Sequence, residues 1–120
     1  MEEKVVVDPK DAQDNKIMGI LAYLGILVLV PIFAAKESPF ARFHANQGLV
    51  LLIAYIAAYI VIAILSAILA VISFSLLLLV SLLNAAVGIG ILVFAVLGII
   101  NAVKGEMKEL PLIGSIKILK

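Results

Sequence analysis

The sequence predicts an all-α polytopic membrane protein, a helical bundle of three transmembrane helices, or four if a short segment at 74–83 also inserts. Hydrophobic residues make up 65% of the 120 residues and charged residues 14%, against about 45–50% and 25% in globular proteins. No Lys, Arg, Asp or Glu occurs from Phe43 to Val103, a run much longer than the roughly 20 residues of one span. Such a chain lacks the polar residues needed to cover a water-exposed surface, so the run must face lipid or itself.

The charge balance and the absence of cysteine exclude several classes of function. Nine Lys or Arg oppose eight Asp or Glu, so no basic field exists to bind nucleic acid. Without cysteine there is no disulfide, thiolate, iron–sulfur or thiolate zinc chemistry. No ionisable carboxylate or amine lies inside a predicted span, so we expect neither an enzyme nor a proton-coupled transporter, and no catalytic residue, cofactor or metal site.

The amino-terminal residues 1–16 are predicted to form a flexible polar tail, because they mix both charge signs with Pro9 and show no apolar period. This start is acidic and long, unlike the short basic region of a cleaved signal peptide, so we expect the first hydrophobic segment to be retained. That segment, 17–35, is uncharged and at about 1.5 Å per residue just spans a hydrocarbon core of about 30 Å.

A second helix is predicted to begin at Pro39. Ser38 is a typical N-cap residue, and proline is favoured at the first helical position. Residues 39–48 are amphipathic and are predicted to lie in the headgroup region. The helix then crosses the membrane over about 49–72.

The serine-containing segment 73–75 is the most polar break in the long apolar run and separates the second helix from a third, predicted over about 82–103. The segment from Leu76 to Val80 is too apolar for a comfortable aqueous loop. A short fourth helix or a re-entrant turn at 74–83 therefore remains an alternative.

Gly105 and Pro111 are predicted to end the third helix. The membrane domain then covers 17–104. The last ten residues alternate apolar and basic side chains, and residues 105–120 are predicted to form a tail that lies on the membrane surface.

Three spans predict that the two chain ends lie on opposite sides of the membrane. The amino tail and the 73–81 loop then carry three basic residues, whereas the 36–44 loop and the carboxyl tail carry six. By the positive-inside bias, the amino terminus is expected outside and the carboxyl terminus inside.

A stripe of polar and small residues follows one face of the second helix at about 100° per residue. It can line a cavity or contact a partner, or it can reflect ordinary packing, because lipid offers polar groups no hydrogen bonds. Ordinary packing is the preferred interpretation. The stripe contains His44, Gly48, Tyr55, Tyr59, Ser66 and Ser73.

Small residues share a face of the third helix and predict close helix packing, within one chain more than between copies. They are Gly88, Ala95, Gly98 and Ala102.

His44, the single histidine, lies beside Arg42 and Gln47. A lone imidazole without nearby carboxylates is a poor metal site. We expect an interfacial anchor or a hydrogen bond across the bundle, with Asn101 as the candidate partner.

Four runs of the sequence, LAYLGILVLVP, KESPFARFHANQGLVLL, GIINAVKG and LPLIG, resemble the Tic20-like family over about residues 17–114. These are small bacterial and archaeal membrane proteins named for a chloroplast protein-import subunit. The resemblance implies a compact helical bundle, here in a prokaryotic cytoplasmic membrane. It also implies a signature interfacial segment containing Phe40, Arg42, Phe43, His44 and Gln47.

These observations favour a non-enzymatic helper or subunit in protein translocation or membrane assembly. It would use the ARFHANQ segment and the stripe to bind another membrane protein. The alternative is a small self-associating channel or holin-like pore lined by Tyr55, Tyr59, Ser66 and Ser73. In either case the expected partners are the lipid bilayer and a membrane protein or further copies of the chain, and not nucleic acid.

Overall fold

The computed structural model describes residues 7–119, which form an all-helical structure about 57 Å long. Two long antiparallel helices make a hairpin, and short helices pack against one end of it. In chain order the α-helices are α1 (Pro9–Asp14), α2 (Lys16–Leu21), α3 (Leu29–Ala34), α4 (Pro39–Ile72) and α5 (Leu77–Val103), with 3₁₀ turns at Gly25–Val28 and Phe74–Leu76.

Helices α4 and α5 are both long and apolar enough to cross a membrane. They have 34 and 27 residues, or about 51 and 40 Å at 1.5 Å per residue, against a hydrocarbon core of about 30 Å. Large apolar side chains cover their outer surface, including Val71 at 88% and Leu78 at 69% exposure. Helices that are apolar all round and exposed belong in lipid, so the chain is a membrane protein.

Both ends of helix α4 are set by local features of the chain, an N-cap serine at its start and an extended serine at its end. The Ser38 hydroxyl accepts a hydrogen bond from the Ala41 amide at 3.0 Å, and Pro39 follows this cap. Ser73 has an extended backbone, which ends the helix. The interfacial segment predicted at 39–48 and the span predicted at 49–72 are therefore one continuous helix.

The third helix begins earlier than predicted, at Leu77 and not at 82. One extended residue and a single 3₁₀ turn suffice to reverse the chain, so the apolar residues after the turn continue directly into the helix. The segment 74–83 consequently forms the turn and the start of α5, and it adds no fourth helix.

The single helix predicted over 17–35 is replaced by α2, the first 3₁₀ turn and α3. Gly25 has a φ of 64°, a left-handed conformation that interrupts an α-helix and that glycine adopts without strain. Neither α2 nor α3 exceeds six residues, about 9 Å. Among the described residues, two helices reach the length of a membrane span, and the bundle of three or four spans is not confirmed.

The short helices, the first turns of α4 and the residues after Val103 together form the charged end of the hairpin. Part of the predicted flexible tail forms α1 there, where Ala12 packs in a cluster with Phe40, Ala102 and Met107. Residues 1–6 lie outside the described residues. Because α1 and the carboxyl tail touch, the predicted placement of the two chain ends on opposite sides of the membrane is not supported.

Helix α2 and the two residues that follow it pack closely between α4 and α5. A Cβ atom at Gly48 would overlap the carbonyl group of Ala22, and one at Gly98 would overlap the Tyr23 ring. The predicted small-residue face of α5 therefore divides. Gly98 and Ala102 are buried at the charged end, Ala95 packs against the apolar core, and Gly88 is exposed.

Candidate functional site

His44 lies at the centre of the charged end and is fully buried. Its Nε2 atom lies 2.8 Å from the Glu106 carbonyl oxygen, which can only accept, so Nε2 carries the proton. The Nδ1 atom of the neutral ring then accepts from the Tyr23 hydroxyl at 2.6 Å. Burial raises the pKa of Tyr23, which keeps the phenol protonated for this role. The imidazole thus joins α4 to the segment after α2 and to the carboxyl tail.

Asn46 and Gln47 hold the carboxyl tail by their side-chain amides. Gln47 donates to the Gly114 carbonyl at 2.9 Å and accepts from the Leu110 amide at 2.8 Å. Asn46 donates to the carbonyl of Ile116 at 2.8 Å. Its oxygen accepts from the amides of Ile118 and Leu119 at 2.6 and 2.9 Å.

We call the side chains of His44, Asn46 and Gln47 the tail clamp. Each of these side chains forms a hydrogen bond with at least one backbone group of residues 106–119. The tail has no regular helix or strand over its described length, so its backbone groups depend on such side chains for hydrogen bonds. The clamp therefore fixes the path of a segment that has no regular secondary structure to stabilise it.

Asp11 fastens α1 to the start of α4. Its carboxylate accepts hydrogen bonds from the Ser38 hydroxyl at 2.6 Å, the Phe40 amide at 3.0 Å and the Asn15 side chain at 2.9 Å. Partial burial acts to raise the pKa of the Asp11 carboxyl, but the bonds from Ser38, Phe40 and Asn15 outweigh burial and lower the pKa below its usual value.

The docking of α1 should therefore depend on pH. A carboxyl whose folded-state pKa is depressed stabilises the fold above its unfolded pKa, near 3.8, and loses this contribution as the pH falls through the folded value. We expect α1 to separate from α4 below about pH 4, which an NMR titration of the Ala12 methyl group would detect. Asp11→Asn should abolish that titration, and an unchanged titration in the variant would contradict the assignment.

Charged side chains surround the clamp on the outside. Lys108 pairs with Glu106 at 2.8 Å and Lys117 with Glu109 at 2.6 Å. The hydrogen bond from Lys108 lowers the pKa of Glu106. Exposed pairs of this kind contribute little to stability. In residues 7–119, no group of three or more His, Asp or Glu residues is placed to hold a metal ion.

The structure separates the residues of the predicted polar stripe. His44 and Gly48 are buried at the charged end, whereas Tyr55 and Tyr59 are 44% and 61% exposed along the membrane-spanning part of α4. Ser66 is half-buried farther along the same helix, and Ser73 lies in the turn, with its hydroxyl 2.9 Å from that of Ser75.

The expected pair of His44 and Asn101 does not form, because Tyr23 and the Glu106 carbonyl occupy both ring nitrogens. Asn101 instead donates to the Lys108 carbonyl at 3.4 Å. Arg42 lies half-buried next to the clamp.

The sequence analysis selected His44 and Gln47 individually and included Asn46 only as part of the ARFHANQ segment, and it missed Tyr23 and Asp11. A signal for Asn46 was present, because consecutive amides at 46 and 47 stand out at the start of an apolar helix. Tyr23 and Asp11 had no comparable signal, since their bonds to His44 and Ser38 join residues 21 and 27 positions apart.

Comparison with known proteins gives a consistent result. Residues 14–119 match the model of the MamF/MmsF family, described as the magnetosome magnetite crystal formation protein family. Magnetosome protein MmsF of Paramagnetospirillum magneticum is 30% identical over 97 residues, which cover 81% of this chain and 79% of that protein.

A second relative is matched over a shorter stretch. Magnetosome protein MamF of Magnetospirillum gryphiswaldense is 39% identical over 54 residues, covering 42% of this chain. This match spans about half of that protein, 49% of its length. No solved structure matches the chain.

These matches overturn the predicted membership of the Tic20-like family. The family model covers all of the stretch, 17–114, that carried the resemblance. Apolar runs are common to unrelated membrane proteins, and one short interfacial segment was too little to identify a family. The predicted role in protein translocation is therefore wrong as well, and the alternative pore is not supported.

Proposed function

Because this chain belongs to the MamF/MmsF magnetosome magnetite crystal formation family, we propose that it acts in magnetite crystal formation as a non-enzymatic magnetosome membrane protein. The observation that carries this proposal is the family match over residues 14–119, which contains both long helices and the tail clamp. The match extends over residues 14–119 and is not confined to a short motif.

In this proposal the hairpin crosses the membrane. The charged end is the working surface, by which we mean the surface that makes functional contacts with other molecules. All charged residues of 7–119 lie outside the run from Phe43 to Val103, so the turn at Phe74–Leu76 carries none. Basic residues are enriched in the loops on the cytoplasmic side of a membrane. The charged end therefore faces the cytoplasm, and the uncharged turn faces the opposite side.

The tail clamp supports this assignment of the working surface. It holds Glu106, Glu109 and Lys117 on a segment of fixed path. A surface whose charges are held in place can recognise a partner or an ionic surface with a smaller entropy cost than a free tail.

Complementation tests the proposal directly. In a magnetite-forming host that lacks its own MamF/MmsF proteins, expression of this chain should change crystal size, measured by electron microscopy. A Gln47→Leu variant, which releases the tail, should lose that effect, whereas Ser75→Ala at the turn should keep it. Equal crystal sizes with and without the intact chain, at equal amounts of protein in the membrane, would refute the proposal.

A further inference from the structure

A short segment at the charged end has an exposed apolar face. Residues 24–33, which we call the wedge segment, form the first 3₁₀ turn and most of α3 and contain no polar side chain. Val28 and Pro31 are buried where the segment packs against α4. Helices on a water-exposed surface turn polar residues outward, so the outward face of this segment does not suit water. It carries the exposed side chains of Leu24, Ile26, Leu27, Leu29, Val30 and Phe33.

The wedge segment lies at the level where the hairpin leaves the hydrocarbon core. A Cβ added at Gly48 would lie 3.3 Å from a methyl carbon of Val28, so the two residues are level with each other. Gly48 lies about 36 Å along α4 from its last residue, Ile72. A bilayer has a hydrocarbon core of about 30 Å and measures about 40–45 Å with its headgroups. With the turn at Phe74–Leu76 on one side, the segment therefore lies at the headgroup boundary of the other side.

The surroundings of the segment favour lipid as its neighbour. The exposed apolar surface of α4 begins at Ile53, only about 8 Å deeper than Gly48. Lipid that covers α4 therefore reaches the segment as well. At its outer end, the Lys36 ammonium lies 5.9 Å from the centre of the Phe33 ring. A lysine at a membrane surface keeps its charge among the headgroups while its apolar stem lies along neighbouring apolar groups.

We infer that the wedge segment inserts into the leaflet on the charged side and makes the protein prefer membranes that are convex on that side. At headgroup depth, the segment widens the hairpin on the charged side, whereas on the other side the described chain has only the turn at Phe74–Leu76. An apolar element that enters one leaflet by about 5–10 Å spreads the headgroups of that leaflet, so its binding depends on curvature. This preference goes beyond the proposed function and does not depend on it.

Fluorescence quenching tests the insertion. The chain has no tryptophan, so Ile26→Trp in the full chain reports on the segment alone, and Ile26 is 66% exposed, so the fold should tolerate the change. The matched control is Gln13→Trp, an exposed position on α1. In phosphatidylcholine vesicles with brominated acyl chains, emission should be quenched at position 26 and not at position 13. A segment that is exposed to water, or reserved for a partner protein, would leave position 26 unquenched.

The orientation of the chain in vesicles of different size tests the curvature preference. Ser115→Cys, at an exposed position, marks the charged end for a membrane-impermeant thiol reagent. When the purified chain is reconstituted with phosphatidylcholine, the ratio of outward to inward charged ends should rise at least about twofold as vesicle diameter falls from about 200 to about 30 nm. The broad end then faces the convex leaflet.

Two double variants in this Ser115→Cys background show whether the segment causes the preference. Ile26→Ser with Phe33→Ser removes exposed apolar side chains without opening the core and should abolish the dependence on vesicle size. Ile26→Leu with Phe33→Leu keeps the apolar face and should retain it. Equal quenching at positions 26 and 13, an orientation ratio that does not change with vesicle size, or the same dependence in the serine variant would each overturn the inference. Neither measurement involves crystal formation, so failure here is distinguishable from failure of the proposed function.

Discussion

Replacing Gly48 with alanine should disrupt the charged end and lower the free energy of unfolding by about 3 kcal/mol, near the upper end of the cost of overpacking a core. The added Cβ would overlap the carbonyl oxygen of Ala22 and lie 2.6 Å from its carbonyl carbon. Backbone atoms cannot turn aside as a flexible side chain can. Helix α2 would therefore have to move away from α4, and the Tyr23 contact with His44 would be lost with it. Thermal unfolding in detergent, followed by circular dichroism, measures the change.

Gly90→Ala is the matched control. Gly90 lies in the interior of α5, and a Cβ there would meet no atom within 4 Å. Alanine is favoured over glycine inside a helix by about 0.5–1 kcal/mol, so this variant should be slightly more stable. If both substitutions lowered the unfolding temperature equally, the close approach of α2 to α4 would be contradicted.

Gln47→Leu should release the carboxyl tail from α4. Leucine keeps much of the volume but removes the bonds to the Leu110 amide and the Gly114 carbonyl. Each buried backbone group left without a partner costs about 1–3 kcal/mol. Hydrogen–deuterium exchange of the Leu110 amide should accelerate at least about thirtyfold, the equivalent of roughly 2 kcal/mol.

Two further substitutions show whether this effect is specific. Gln47→Glu keeps an acceptor for Leu110 but places a carboxylate against the Gly114 carbonyl in a buried site, so exchange should increase at least as much as in Gln47→Leu. Asn101→Ala removes a longer bond of 3.4 Å at the exposed rim and should have little effect. Unchanged exchange in Gln47→Leu would show that Gln47 does not hold the tail.

The membrane hairpin could be predicted because its cause is local. The absence of charge from Phe43 to Val103 and the break at Ser73 are visible in the sequence alone. The prediction of a single spanning helix over 17–35 was wrong because that segment has the length and hydropathy of a span without being one continuous helix. Its glycines and Pro31, which weaken an α-helix, were the sequence signal against one continuous helix.

The tail clamp could be predicted only in part. His44 and Gln47 stand out as polar residues at the start of an apolar helix, but their partners are 62 to 67 positions away at Glu106, Leu110 and Gly114. Helical spacing orders residues within α4 and carries no information about such distant partners. Because helical spacing carries no information about tertiary contacts, it also could not show that the polar stripe runs from the charged end into the lipid-exposed surface.

We expect that α4 and α5 cross the membrane as a hairpin, a topology with both flanking regions on one side. Single cysteines at Lys36, Ser75 and Ser115, all exposed, test it in sealed vesicles of known orientation with a membrane-impermeant thiol reagent. Lys36→Cys and Ser115→Cys should be labelled from the same side, and Ser75→Cys from the opposite side. Labelling of positions 36 and 115 from opposite sides, or of all three from one side, would contradict it.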